Sequence, residues 1–275
     1  MSTVQWYFPD TLDVAISYLG REKTVPHGGG TSLIKSGIAS LEGLVDLSRL
    51  GLDSLKMEKG ILEAGAGMTF GGVAESLANL HPECILGKAL GASASTPMRN
   101  RITLGGSASL FPLWSDLIGP MSVLHGVICT EGKNGGTYDL PSWLADRTLQ
   151  KGSLITSLLF PDPVDWLSSY YRETRVGFDY PAFTVSILAR KNNSTIDKVR
   201  IAVSGGLDRV RRLTELEERL TGADLSVLAS LDIRKMASVE FGRKPAGSPE
   251  YLSEIAAVQV ERGLKAVLTE EGKSR

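Results

Sequence analysis

The chain has 275 residues, with 30 Lys and Arg against 31 Asp and Glu, a net charge of −1, 42% hydrophobic and 22% charged residues. This composition excludes a mainly disordered or fibrous chain and fits one large domain or two modest ones. The flat charge argues against a non-specific nucleic-acid binder, which needs a basic excess. The first clear unit runs from Thr11 to Gly20, where Leu12, Ala15, Ile16 and Leu19 repeat at helical spacing between a capping Asp10 or Thr11 and a glycine. A short apolar stretch ends at Pro26, and the cluster His27-Gly28-Gly29-Gly30-Thr31-Ser32 follows. Leu44–Leu47 and Ile61–Ala64 read as strands, Phe70–Leu80 and Asp116–His125 as helices, and Val127–Thr130 and Leu154–Phe160 as strands. Pro161-Asp162-Pro163 breaks the pattern. Beyond it come strand signals at Phe183–Ala189 and Lys198–Val203, a Gly205-Gly206 turn and charged helical sequence. In the last helix Leu252, Ala256, Val260, Leu264 and Val267 form an apolar stripe that needs a packing partner.

Two cysteines, Cys84 and Cys129, cannot build a disulfide framework, a four-thiolate zinc site or an iron–sulfur cluster. The opening MSTVQWYFPD lacks the regions of a secretory leader, and no uncharged stretch nears the roughly 18 apolar residues of a membrane span. The sequence therefore reads as soluble and cytoplasmic. His27, His81 and His125 have no i, i+4 partner, so no metal site is expected. Gly65-Ala66-Gly67-Met68-Thr69-Phe70-Gly71 has the spacing G-x-G-x-x-x-G, one residue too long for a dinucleotide fingerprint, and reads as a structural turn. No G-x-S-x-G elbow or Cys/His pair offers hydrolytic chemistry.

Two glycine loops carry more information. In Gly28-Gly29-Gly30-Thr31-Ser32, residues without Cβ allow close backbone approach to a ligand, and successive N–H groups can converge as an anion nest. Thr103-Leu104-Gly105-Gly106-Ser107-Ala108-Ser109 has the same composition and no charge. A pyrophosphate between them would be neutralised by backbone dipoles without lysines. Taken singly, either loop reads as well as a tight turn.

The order of these pieces resembles a known family. Gly29-Gly30-Thr31, then Val45-Asp46-Leu47-Ser48-Arg49-Leu50, then Arg99-Asn100-Arg101-Ile102-Thr103-Leu104-Gly105-Gly106, and Asp116 ten residues on, match the motifs of the FAD-binding subunit of molybdenum hydroxylases. That family includes the medium subunit of carbon monoxide dehydrogenase and the flavin domain of xanthine dehydrogenase. The likeness extends from about residue 8 to 268. It implies an α+β fold: a two-lobed FAD-binding domain of the vanillyl-alcohol oxidase/p-cresol methylhydroxylase type over residues 1–165, its lobes split near 55–60, and a small α+β C-terminal domain over 170–275. Carried over by position, His27, Gly28, Gly29, Gly30, Thr31, Ser32 and Leu33 would hold FAD from one side, and Thr103, Gly105 and Gly106 from the other. Asp116 would accept hydrogen bonds from cofactor hydroxyls, and Ile155 would lie near the cofactor. Tyr171 or Arg172 stands where xanthine dehydrogenase has a flavin-contacting lysine. Phe111-Pro112-Leu113-Trp114-Ser115-Asp116 departs from the family's A-S-P-A-x-D, and His27 replaces a small or aliphatic residue. The resemblance implies an electron-transfer subunit that itself hydroxylates nothing. Its partners would be a [2Fe–2S] iron–sulfur subunit and a molybdopterin-binding large subunit. The alternative readings are a self-sufficient flavin oxidoreductase and a non-catalytic nucleotide-binding protein.

Overall fold

A computed structural model describes residues 4–269. The fold is mixed α+β and divides into two compact units. One holds the chain as far as Ser76, with Ser95–Leu110 and His125–Pro161. The other holds Leu77–Ala94, Phe111–Leu124 and the chain from Asp162 onward, and so draws in two segments that precede the Pro161-Asp162-Pro163 break.

The first unit contains two sheets. Strands β1 (Gln5–Tyr7), β2 (Thr24–His27) and β3 (Gly43–Asp46) form a small parallel sheet in the order β1-β3-β2. Parallel neighbours need crossovers; here the helices Leu12–Leu19 and Thr31–Ser36 supply them. The first begins where the sequence signals it, with Thr11 Oγ1 accepting from the Val14 N–H, and stops at Gly20. Its Ala15 is fully buried with Val45 and Leu154, ringed by Tyr7, Leu12, Tyr18 and Leu19.

The second sheet is antiparallel, with β4 (Leu55–Glu58), β5 (Ile61–Gly65), β6 (Val127–Gly132), β7 (Gly136–Asp139) and β8 (Ser153–Pro161) in the order β4-β5-β8-β6-β7. Lys59 and Gly60, both at positive φ, make the two-residue turn between β4 and β5, the geometry that matches strand twist in hairpins. The Gly65–Gly71 segment serves as a structural turn. Gly65 and Gly67 lie against the backbone of Leu52, where an added Cβ would stand 2.2 and 3.0 Å from the Leu52 carbonyl oxygen.

The other unit is built on one antiparallel sheet, β12-β11-β10-β9, from β9 (Leu167–Glu173), β10 (Phe183–Asn192), β11 (Thr195–Ser204) and β12 (Val210–Arg212). Strands β10 and β11 are mostly buried, and Ile187, Ile201 and Val203 face a core shared with the helix Pro249–Thr269. The apolar stripe finds its partner here: Leu252, Ala256, Val260, Leu264 and Val267 are all buried against this sheet. At Gly263 the helix approaches so closely that a Cβ would meet Ile187 Cδ1 at 2.7 Å and Ser169 Oγ at 3.2 Å. Burial of each large aliphatic side chain is worth about 1.5–3 kcal/mol, so this helix is held by packing rather than by its charged outer face.

Candidate functional site

The first glycine loop lies at the end of β2. His27 pairs with Asp46 across the parallel ladder, its carbonyl accepting from the Leu47 N–H. The chain then turns through Gly28, Gly29 and Gly30 into the helix Thr31–Ser36, with Gly30 at φ 73° as the N-cap residue. That left-handed conformation favours glycine. Among the described residues no acceptor takes a backbone N–H from Gly28 to Leu33. The result is a row of donors at a helix start, where polar groups are left over and the field favours an anion.

The second glycine loop works differently. The Leu104 N–H donates to the Met68 carbonyl, the Gly105 N–H to the Ala66 carbonyl, and the Gly106 N–H to Thr103 Oγ1. Its donors are largely spent inside the chain, and the loop is a clamp more than a nest. It clamps the first loop directly: the Arg101 guanidinium donates from Nε and Nη2 to the Gly29 carbonyl at 3.3 and 3.1 Å. Gly29 is forced by this contact, since a Cβ there would lie 1.5 Å from the Arg101 carbonyl oxygen. Thr103, itself buried, sits where side chains on Gly28 and Gly106 would otherwise go, at 3.1 and 2.9 Å from its Oγ1. Gly105 backs onto Ala66, where an added Cβ would stand 2.8 Å from the Ala66 Cβ. Most of these glycines are therefore places where the chain approaches itself; Gly30 is the one fixed by its own φ.

Three further residues of this unit bear on the site. Thr31 and Leu33 are half-buried and Ser32 exposed in the first helical turn. Ile155 is buried on β8, at the bulge where β6 shifts register between Cys129 and Thr130. His27 is edge-on to Trp6, 4.8 Å between ring centroids, with Nδ1 3.5 Å from Asp46 Oδ2. Burial raises the Asp46 carboxyl, but hydrogen bonds from the Ser48 hydroxyl and N–H and the adjacent His27 outweigh it and hold the carboxyl below its ordinary value. Trp6, Asp46 and Arg101 had no assigned role in the sequence reading, although Asp46 and Arg101 stand inside the motifs that carried the family resemblance.

Asp116, Tyr171, Arg172 and Trp114 belong to the other unit. Asp116 and Arg172 form an ion pair with side chains only 4% and 9% exposed, Nε to Oδ1 at 2.7 Å, and Tyr170 Oη donates to the same oxygen at 2.6 Å. Burial and the neighbouring carboxylate push the Tyr170 hydroxyl well above its ordinary value, so it stays a donor. Arg172 also donates to the Gly177 carbonyl at 3.3 Å and the Asp179 carbonyl at 3.2 Å. It thereby pins the segment 174–180, which displays Val176, Phe178 and Tyr180. Tyr171 points to the opposite face of β9, donating to Glu173 at 2.5 Å. Trp114 is not a core residue; it is 38% exposed and lies against Tyr180, 5.0 Å between centroids.

Residues 2–163 match the family described as the FAD binding domain in molybdopterin dehydrogenase. The chain belongs to that family. FAD is the cofactor of this domain, and the residues present fit it: an acceptor-free row of N–H groups over Gly28–Leu33 suits a diphosphate. The nicotine 6-hydroxylase medium subunit of Paenarthrobacter nicotinovorans is 29% identical over 167 residues, a match that spans 59% of this chain and 56% of that one. Among solved structures, quinoline 2-oxidoreductase from Pseudomonas putida 86 superposes with a TM-score of 0.85 at 20% identity, covering 97% of each chain. Carbon monoxide dehydrogenase from Oligotropha carboxidovorans gives 0.86 at 21%, covering 98% of this chain and 99% of that one. These likenesses show the same fold along nearly the whole chain.

Proposed function

We propose that this chain is the FAD-holding electron-transfer subunit of a multi-subunit molybdenum hydroxylase, working in the cytoplasm. It would take electrons from [2Fe–2S] clusters on one partner chain, with a molybdopterin-binding large subunit as the second partner, and deliver them to an external acceptor. The observation that carries this reading is the row of unpaired N–H donors from Gly28 to Leu33 in a chain of this family. Bound FAD supplies the redox chemistry. The protein's residues bind and orient it. Gly28, Gly29, Gly30, Thr31, Ser32 and Leu33 present backbone donors to the diphosphate. Thr103, Gly105, Gly106 and Arg101 hold that row in shape from behind. Ile155 contributes an apolar wall. Asp116, expected to accept hydrogen bonds from cofactor hydroxyls, lies in the other unit, where the Arg172 guanidinium takes both of its carboxylate oxygens.

No helix among the described residues is long and apolar enough to cross a membrane. Two further points support a dependence on partner chains. The sequence has two cysteines in all, and none of its described His, Cys, Asp and Glu residues group in threes as metal ligands.

The test is direct. The purified protein should be yellow, and acid precipitation should release FAD into the supernatant, one per chain. Colour that stays in the pellet would mean a covalent link, and FMN in the supernatant would remove the diphosphate argument. A colourless protein that takes up no added FAD would overturn the reading.

A further inference from the structure

Nothing on the first loop carries a formal charge except the histidine that precedes it, and the surroundings of that histidine are specific. Its two ring nitrogens differ. Nδ1 is shut off from solvent with no hydrogen bond, facing Asp46 Oδ2 at 3.5 Å. An enclosed ring nitrogen with no donor to accept from is costly unless it bears a proton directed at a carboxylate. Nε2 is the ring atom nearest the place of a Gly30 side chain, lying 2.8 Å from where a Cβ there would stand. Gly30 thus leaves the place of its side chain to the imidazole, at the centre of the donor row.

Asp46 is fixed for its part. Its Oδ1 accepts from the Ser48 N–H at 2.9 Å and from the Ser48 hydroxyl, which leaves Oδ2 for His27. Both side chains are about five-sixths buried, with 18% and 17% of their surface exposed. Among the described residues, the other groups near the ring are engaged elsewhere, and the nearest cation, Arg101, stands behind the loop on the Gly29 carbonyl. Trp6 on β1 covers one side edge-on. Arg49 is turned to Asp10 and the Phe8 ring.

We propose that His27, oriented by Asp46, is the charge-bearing element of the loop and donates from Nε2 to the diphosphate of FAD, so that the site binds more tightly with the imidazole protonated than neutral. This rests on the reading of Gly28–Leu33 as the diphosphate cradle. With Nδ1 protonated toward Asp46, a neutral ring presents a lone pair at Nε2 to an anion, whereas a charged ring presents a donor. Histidine changes charge within the physiological range, so retention of FAD becomes pH-dependent. Asp46 is a positioning residue in this scheme, since it acts on the ligand only through the ring.

The experiment is a fluorescence titration of the flavin-stripped chain with FAD at about pH 5.5 and about pH 8.5, with inorganic pyrophosphate followed by calorimetry as a second probe. The wild-type chain should bind FAD about fivefold more tightly at the lower pH, the scale of a partly exposed charge contact. His27→Gln, which keeps a polar side chain of similar reach, should bind at the weaker level with no pH dependence. Asp46→Asn should retain binding but lose most of the difference between the two pH values. A pH dependence that is the same in His27→Gln, or that runs in the opposite sense, overturns the proposal even if FAD binds well. Failure of the wild-type chain to bind FAD while pyrophosphate still binds with the predicted dependence on His27 would remove the flavin reading and keep the anion site. Binding of neither probe would overturn both. Because the wild-type pH profile stands by itself, a variant that folds poorly does not shield the proposal.

Discussion

Gly29 is where one added carbon does most damage. Its Cβ would fall 1.5 Å from a backbone oxygen of Arg101, which cannot rotate away. Gly30 is a milder case: φ is 73°, and the obstructing atom is the Nε2 end of a side chain. Gly29→Ala should therefore separate the two loops, costing more than about 3 kcal/mol and abolishing flavin retention, because overpacking against immovable backbone lies at the upper end of the range. Gly30→Ala should cost about 1–2 kcal/mol, the scale of a left-handed residue with a Cβ, and weaken binding of FAD without unfolding the chain. Thermal unfolding and bound flavin measured side by side check both; equal effects at the two positions would mean that Arg101 does not clamp the loop as described. The sequence made the glycines visible but not their reason. Gly29 and Arg101 are 72 residues apart, and a composition that signals close approach does not say whether a ligand or the chain itself makes it.

At the scale of elements, strand β9 was the least legible. Leu167-Ser168-Ser169-Tyr170-Tyr171-Arg172-Glu173 has no apolar run, and its alternation is one of polar groups: Tyr170 and Arg172 share the face that meets Asp116, and Tyr171 lies on the other. Periodicity rules read hydrophobic contrast, so a strand whose buried face is hydrogen-bonded escapes them. The segments Leu12–Leu19 and Phe70–Leu80 and strands β5, β6, β8, β10 and β11 were legible because their buried faces are aliphatic. The Arg172 contacts lead to an element-level prediction. Arg172→Ala removes two donors from the backbone of 174–180 and leaves Asp116 as a buried carboxylate held by the Tyr170 hydroxyl. Loss of one partner from a buried pair costs about 3–5 kcal/mol. Trypsin should then cut after Arg175, and chymotrypsin after Phe178, at least tenfold faster than in the wild-type chain, and amide exchange should rise over 174–180. Unchanged cleavage rates would show that the segment is held by its own turns and by Tyr180 against Trp114.

For the molecule as a whole, the sequence reading expects domains over 1–165 and 170–275, whereas the later compact unit also includes two earlier segments, Leu77–Ala94 and Phe111–Leu124. Such exchange leaves no mark in composition, because these segments are as apolar as any core helix. The last helix shows the converse: its stripe was evident, and the structure spends it on the sheet of its own unit. It is therefore not a surface reserved for a partner chain. The proposed dependence on partner chains rests on chemistry that the described residues do not supply. Cys84 is buried and Cys129 half-buried, and burial raises both thiols above their ordinary value, away from the thiolate that a metal cluster requires. Two such thiols cannot ligate a [2Fe–2S] cluster. The chain purified alone should hold FAD that dithionite reduces, yet show no flavin reduction on addition of purines, aldehydes, carbon monoxide or N-heterocycles. Coexpression with an iron–sulfur subunit and a molybdopterin-binding subunit should restore turnover. Rapid reduction of the flavin by an organic substrate in the lone chain would instead make it a self-sufficient flavin oxidoreductase, with its substrate pocket within this polypeptide.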